Sequence, residues 1–154
     1  MPAAECVGEI GINFACNYNG ILFVFSGVGS KSYGNFKGFF RIPWLVRYPW
    51  LMWPGFLVDT KYMDTQLETD ASWKICNWHK NQRLMQSGGK VNEVGWGVYE
   101  TCRKHGVFIV NGHEHAYSRT HLMSSFKNQE VASTSDILVL EEGKSFDVVS
   151  GLGG

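Results

Sequence analysis

Val107-Phe108-Ile109-Val110, continued through Asn111 into Gly112-His113-Glu114-His115, runs a short apolar strand straight into two histidines. Side chains alternate along an extended segment, so histidines at i and i+2 share one face. The same parity continues through Tyr117, Arg119 and His121. One extended face would then carry three imidazoles, a phenol and a guanidinium. Neutral imidazole is the commonest nitrogen ligand for zinc, iron and similar ions, so this strand end points to a metal site. The competing reading is a solvated strand with chance histidines. Glu114 has the opposite parity and is a poor ligand while the strand stays extended.

Upstream, Trp73-Lys74-Ile75-Cys76-Asn77-Trp78-His79 reads as a buried strand with a histidine at its carboxyl end. Ligands in open α/β sheets collect outside the carboxyl ends of strands. His79 and His113 thus hold equivalent positions on two predicted strands. Between them Val94, Val98, Tyr99 and Cys102 fall at helical spacing. A strand–helix–strand unit of this kind brings His79 beside His113 if the two strands are neighbours.

The segment from about Trp73 to Gly154 resembles the carboxyl-terminal half of a calcineurin-like metallophosphoesterase, nearest to the purple-acid-phosphatase-like members. The residues that carry the resemblance are His79 after its strand, then Gly112-His113-Glu114-His115, then Tyr117 and Arg119. The run Ser145 to Gly154 resembles the strand and glycine turn that follow in that family. About half of the chain is covered. The resemblance implies that His79 and His113 bind one metal of a two-metal centre and His115 the other. In the intact family the two ions are divalent or trivalent (Fe, Zn or Mn) and the substrate is a phosphate ester. Such ions neutralise phosphate charge and stabilise attacking and leaving oxygens in an in-line displacement.

Carboxylates complete a centre of this type, because hard cations need anionic oxygen as well as imidazole. The family's D-x-H, G-D-x-x-D and G-N-H motifs are missing from this sequence: no Asn precedes a His, and no Asp stands in either aspartate motif. Asp59, Asp64 and Asp70 lie in a polar, helical stretch and read as solvated. Three imidazoles without a bridging carboxylate suit at most one ion.

At 154 residues and 44% hydrophobic composition, the chain can bury a core as one domain. Its amino terminus has neither a basic region nor an apolar signal core. Both ends read as cut, and the expectation is a partial metallophosphoesterase domain over residues 1–154. Fourteen basic residues balance 14 acidic ones, which leaves no electrostatic footprint for nucleic acid. Four cysteines contain no C-x-x-C pair. Cys76 and Cys102 read as free buried thiols, while a Cys6–Cys16 disulfide would fit an exported chain.

Phe39 to Pro54 is dense in aromatics, prolines and arginines. Arg41, Arg47 and three prolines interrupt it, so no transmembrane helix is expected. An interfacial aromatic surface is one alternative. The reading adopted is an atypical insertion in a family loop, at about residues 36–56.

The remaining candidates have structural explanations. His105, in Arg103-Lys104-His105-Gly106, suits a helix end with a glycine cap. His121 has the right parity but no counterpart in the family pattern. Lys80, Gln82 and Arg83 could approach a phosphate, although loop residues of this kind are usually solvated. Arg119 could pair with a phosphate or with a carboxylate. Gly88-Gly89-Lys90 lacks the spacing of a phosphate loop.

The expected architecture is α/β: a mixed β-sheet with flanking helices, forming part of a metallophosphoesterase β-sandwich. Strands are expected near Ile10–Ala15, Ile21–Ser26, Trp73–Asn77, Val107–Val110, Ile137–Leu140 and Phe146–Val149, with helices near Leu57–Leu67 and Asn92–His105. Two functions follow. One is a metal-dependent phosphoric-ester hydrolase, of which this is the carboxyl-terminal portion. The other is a non-catalytic metal-binding or interaction module derived from a truncated phosphoesterase.

Overall fold

A computed structural model describes residues 4–29 and 54–153. The aromatic and proline-rich stretch lies outside them, apart from its last residues, which open a helix. The chain is α/β. Strands β1 (Glu5–Glu9), β2 (Asn13–Tyr18) and β3 (Ile21–Ser26) form a meander. Helix α1 (Pro54–Leu67), β4 (Trp73–Trp78), α2 (Trp96–Lys104) and β5 (Phe108–Asn111) follow, then β6 (Tyr117–Arg119), β7 (Leu122–Ser125), β8 (Glu130–Ser133) and β9 (Asp147–Ser150). Seven strands form one mixed sheet in the order β1-β2-β3-β4-β5-β9-β6, while β7 and β8 pair separately. The central strands β3, β4, β5 and β9 are parallel. The β1, β2 and β6 pairings at the edges are antiparallel.

Local chemistry sets the meander. Asn19 and Gly20 both have positive φ, 51° and 80°, between the paired residues Tyr18 and Ile21. An Asn-Gly loop of two left-handed residues matches the twist of the strands it joins. In β3, Ile21-Leu22-Phe23-Val24-Phe25-Ser26 alternates between buried and half-buried positions, as a strand with two unlike faces should.

Register places the core. Ala15, Val24, Cys76, Ile109 and Asp147 pair across the sheet in one row, and Asn13, Ser26, Trp78, Asn111 and Val149 in the next. Both rows are buried. The hydrophobic residues of these rows, Val149 apart, belong to one core with Met63 and Leu67 of α1 and Val98, Tyr99 and Cys102 of α2. The opposite face carries Phe14, Phe25, Val110 and Val148 in one row and Phe23, Ile75 and Phe108 in another. These residues are half-buried. Phe14 stacks on Phe25 at 4.5 Å and Phe108 on Phe146 at 5.4 Å.

Several expectations need correction. The strand expected at Ile10–Ala15 is β2 and starts at Asn13, since Ile10 lies in the turn after β1 and is 78% exposed; β1 itself is not among the expected strands. Ile137–Leu140 forms no strand: Ile137 and Val139 face solvent, and among the described residues no strand pairs with this stretch. Helix α2 begins only at Trp96, after Gly95. It ends as expected, with Arg103 and Lys104 in its last turn and the Val107 N–H bonded back to the Cys102 carbonyl at 2.9 Å. Cys76 and Cys102 are not free thiols; they form a disulfide joining β4 to α2. Cys6 and Cys16 form the second, across the β1–β2 pair. Among the described residues, no helix is long and apolar enough to cross a membrane.

Candidate metal centre

His79 directly follows β4, and Gly112-His113 directly follow β5. Because these strands are parallel neighbours, with Trp78 opposite Asn111, both histidines emerge at the same edge. His79 Nε2 lies 3.2 Å from His113 Nδ1. The rings meet edge to face, with centroids 5.0 Å apart.

The extended face expected from His113 to His121 is not formed. Residues 113–116 make a bend, and His113 has a φ of 64°. A histidine in the left-handed region is uncommon and costs backbone strain, which persists where surrounding contacts impose it. Here the contacts are specific. Glu114 N–H donates to the Gly112 carbonyl at 2.8 Å, and the Asn81 side-chain amide donates to the same carbonyl at 2.7 Å. Lys90 Nζ caps the His113 carbonyl.

His115 is exposed on the far side of this bend, and Tyr117, Arg119 and His121 are exposed beyond it. The parity argument about Glu114 lapses with the extended strand. Its Oε2 is buried without a hydrogen-bond partner among the described residues, in a position that Gly88 leaves room for. His105 bonds Asp64 at 2.6 Å at the helix end, a structural role. Asp59 is not simply solvated: it accepts a 2.7 Å hydrogen bond from Asn13.

The sequence reading missed Glu93. Its Oε2 lies 2.5 Å from His113 Nε2, and its Oε1 bonds Lys80 Nζ. Lys80 is also 3.5 Å from His113 Nε2. Lys80 is therefore held in an ion pair. Gln82 is buried and bonded to the Val94 carbonyl, while Arg83 stays exposed. Burial lowers the His113 pKa; Glu93 opposes this, and Lys80, Lys90 and His79 reinforce it. The lowered value favours the neutral imidazole, the form that binds metals. The Lys80 hydrogen bond holds the Glu93 carboxyl below its usual range, and protonation of His113 would lower it further.

Behind the pair lies a buried polar layer. With its amide nitrogen toward the core, Asn111 donates to Asp147 Oδ1 at 3.0 Å and to Asn81 Oδ1 at 2.9 Å, and accepts from Trp78 Nε1 at 3.2 Å. Asp147 is fully buried, and burial pushes its carboxyl well above the usual range. Burial, followed by the Asp147 charge, raises Tyr99 well above its ordinary value. Spacing gave no signal for Glu93 or Asp147, because both reach the site through contacts distant in sequence.

Among the described residues, no group of three or more His, Cys, Asp or Glu side chains is placed to hold a metal ion. His79 and His113 stand together, and among the described residues no third ligand joins them. No protein-family model matches the chain, and neither the curated proteins nor the solved structures contain a match.

Proposed function

We propose that the chain carries the carboxyl-terminal, histidine-bearing portion of a metal-dependent phosphoric-ester hydrolase of the calcineurin-like, purple-acid-phosphatase-like kind. The observation that supports this most is the 3.2 Å approach of His79 Nε2 to His113 Nδ1, at the carboxyl ends of two parallel neighbours. Two nitrogens bound to one tetrahedral zinc at about 2.0–2.1 Å lie about 3.3 Å apart. The pair has that spacing. The order His79, helix, strand, Gly112-His113-Glu114-His115 resembles the family's. The half-buried aromatic face of the sheet also suits a partial sandwich, in which a second sheet packs against such a face.

The two histidines brought together would offer one ion part of a ligand set, and nothing among the described residues offers a second ion a site. His79 and His113 would each supply an imidazole nitrogen, but the described residues place no bridging carboxylate beside them. Asp147, buried in the row that faces the helices, is not available to bridge. When bound, an ion of the Zn, Fe or Mn type supplies positive charge that draws in and polarises a phosphoryl oxygen. The chain's own contribution is to hold the two rings at chelate distance and to keep Lys80 and Lys90 beside them. Glu93 offsets the Lys80 charge, so the positive charge left to favour a phosphate ester over a neutral substrate is that of Lys90. The role of second-ion ligand that the resemblance implies for His115 would go unfilled in this chain, where His115 is exposed in the bend.

The second reading, a non-catalytic metal-binding or interaction module, is favoured by one observation: only two imidazoles converge. Equilibrium dialysis with inorganic phosphate separates the readings. The hydrolase reading expects phosphate to be retained in the presence of Zn²⁺ and lost in His113→Ala. Zn²⁺ uptake without phosphate retention would favour the binding module. Hydrolysis of chromogenic phosphate monoesters and diesters by this chain is expected to be negligible, since one ion cannot stabilise both attacking and leaving oxygens.

A further inference from the structure

We propose that Glu93 is the positioning residue for the His113 ring: it takes the Nε2 proton, so that the Nδ1 lone pair is the one turned toward His79. The inference rests on the phosphoesterase reading for its purpose, because it gives the chelate its orientation.

A carboxylate is an acceptor only, so the 2.5 Å contact between Glu93 Oε2 and His113 Nε2 makes Nε2 the protonated nitrogen. A neutral imidazole carries one N–H, and Nδ1 is then a lone-pair acceptor. That nitrogen lies 3.2 Å from His79 Nε2. Lys80 Nζ occupies the other Glu93 oxygen, which fixes the rotation of the carboxylate. Lys80 Nζ, a donor, also lies 3.5 Å from Nε2 and would favour a lone pair there, but the Glu93 contact is shorter by 1.0 Å, so the carboxylate sets the form of Nε2.

The scaffold beneath shows why Glu93 can reach the ring. Asn81, fully buried, accepts the Glu93 backbone N–H at 3.2 Å. Its side-chain amide donates to the Gly112 carbonyl at 2.7 Å. One residue therefore ties the Glu93 backbone and the Gly112–His113 peptide to the same point. Carboxylate–histidine–metal arrangements of this kind fix the tautomer, and losing the outer partner typically costs about 10–100-fold in metal affinity.

Two measurements on the full chain test this. Long-range proton–nitrogen NMR of the metal-free protein, above the imidazole titration range, reads the tautomer. His113 is expected as the Nε2–H form in the wild type, with that preference lost in Glu93→Ala. Zn²⁺ titration of the same proteins is expected to show about 10–100-fold weaker binding for Glu93→Ala. Glu93→Gln, which retains an acceptor oxygen, should recover part of the loss. An Nδ1–H tautomer in the wild type overturns the proposal even if the alanine variant fails to fold. Zn²⁺ binding that is equal in wild type and folded Glu93→Ala overturns it and leaves the hydrolase reading standing. A wild type with the expected tautomer but no Zn²⁺ uptake overturns the hydrolase reading, and with it the purpose assigned to Glu93.

Discussion

The side-chain amide of Asn81 donates to the carbonyl of Gly112 at 2.7 Å, across 31 residues of sequence. This bond ties the loop after β4 to the bend after β5, and it is buried at the Asn81 end. Asn81→Ala removes the donor and leaves nearby buried polar groups short of partners. Stability should fall by about 1–3 kcal/mol, measured by urea denaturation. An unchanged midpoint would show that water replaces the amide at no cost.

Gly151, just after β9, packs against the same bend. A Cβ there would overlap the Glu114 carbonyl, whereas a Cβ on Gly153 would meet nothing. The obstacle at Gly151 is backbone, which cannot swing aside as a side chain can. Gly151→Ala should therefore cost about 1–3 kcal/mol, and Gly153→Ala less than about 0.5 kcal/mol. Thermal melting of the two variants makes the comparison. Equal effects would contradict the close packing of the bend.

Asp147 makes a prediction of definite sign. Burial holds its carboxyl well above the usual value of 3.8, so the native chain retains a proton that the unfolded chain has lost. The associated stability is complete below the unfolded value and falls as pH rises toward the folded value. Asp64, held low by its hydrogen bond to His105, acts in the opposite direction, so the informative quantity is the difference between proteins. Asp147→Asn should gain stability over wild type as pH rises from the acid range to neutrality. Urea midpoints across that window check it; a variant that loses ground with rising pH would contradict the buried, protonated acid.

The disulfide between Cys76 and Cys102 closes a loop of 26 residues between the central strand β4 and α2. Restricting the unfolded chain over such a length is worth about 3 kcal/mol on the chain-entropy account. Cys76→Ala/Cys102→Ala should lower the urea-derived stability by that order and more than Cys6→Ala/Cys16→Ala, whose loop spans 10 residues. The reverse ranking would contradict the placement of the two bridges.

What could be read from the sequence was whatever depended on neighbours along the chain. The β4–α2–β5 unit followed from the apolar run at Trp73, the helical spacing of Val98, Tyr99 and Cys102, and the apolar run at Val107. The meeting of His79 and His113 followed from placing those strands side by side. An apolar run misled where exposure decided the outcome: Ile137-Leu138-Val139-Leu140 is apolar throughout, yet Ile137 and Val139 are left in solvent. Periodicity failed at Gly112, where parity assumed an extended chain and Asn81 and Lys90 hold a bend. Glu93, Asp147 and the Cys76–Cys102 bridge reach their partners only through tertiary contacts, which leave no spacing to read.

The pairing of His79 with His113 as one chelate is tested most directly by isothermal titration with Zn²⁺. Wild type, His79→Ala, His113→Ala and His121→Ala are compared under identical conditions. The wild type should bind a single ion weakly, because the described residues supply only two converging imidazoles. His79→Ala and His113→Ala should each lower the affinity well beyond the effect of His121→Ala, which lies on the exposed chain past the bend. Equal losses in all three variants, or none in any, would contradict the pairing.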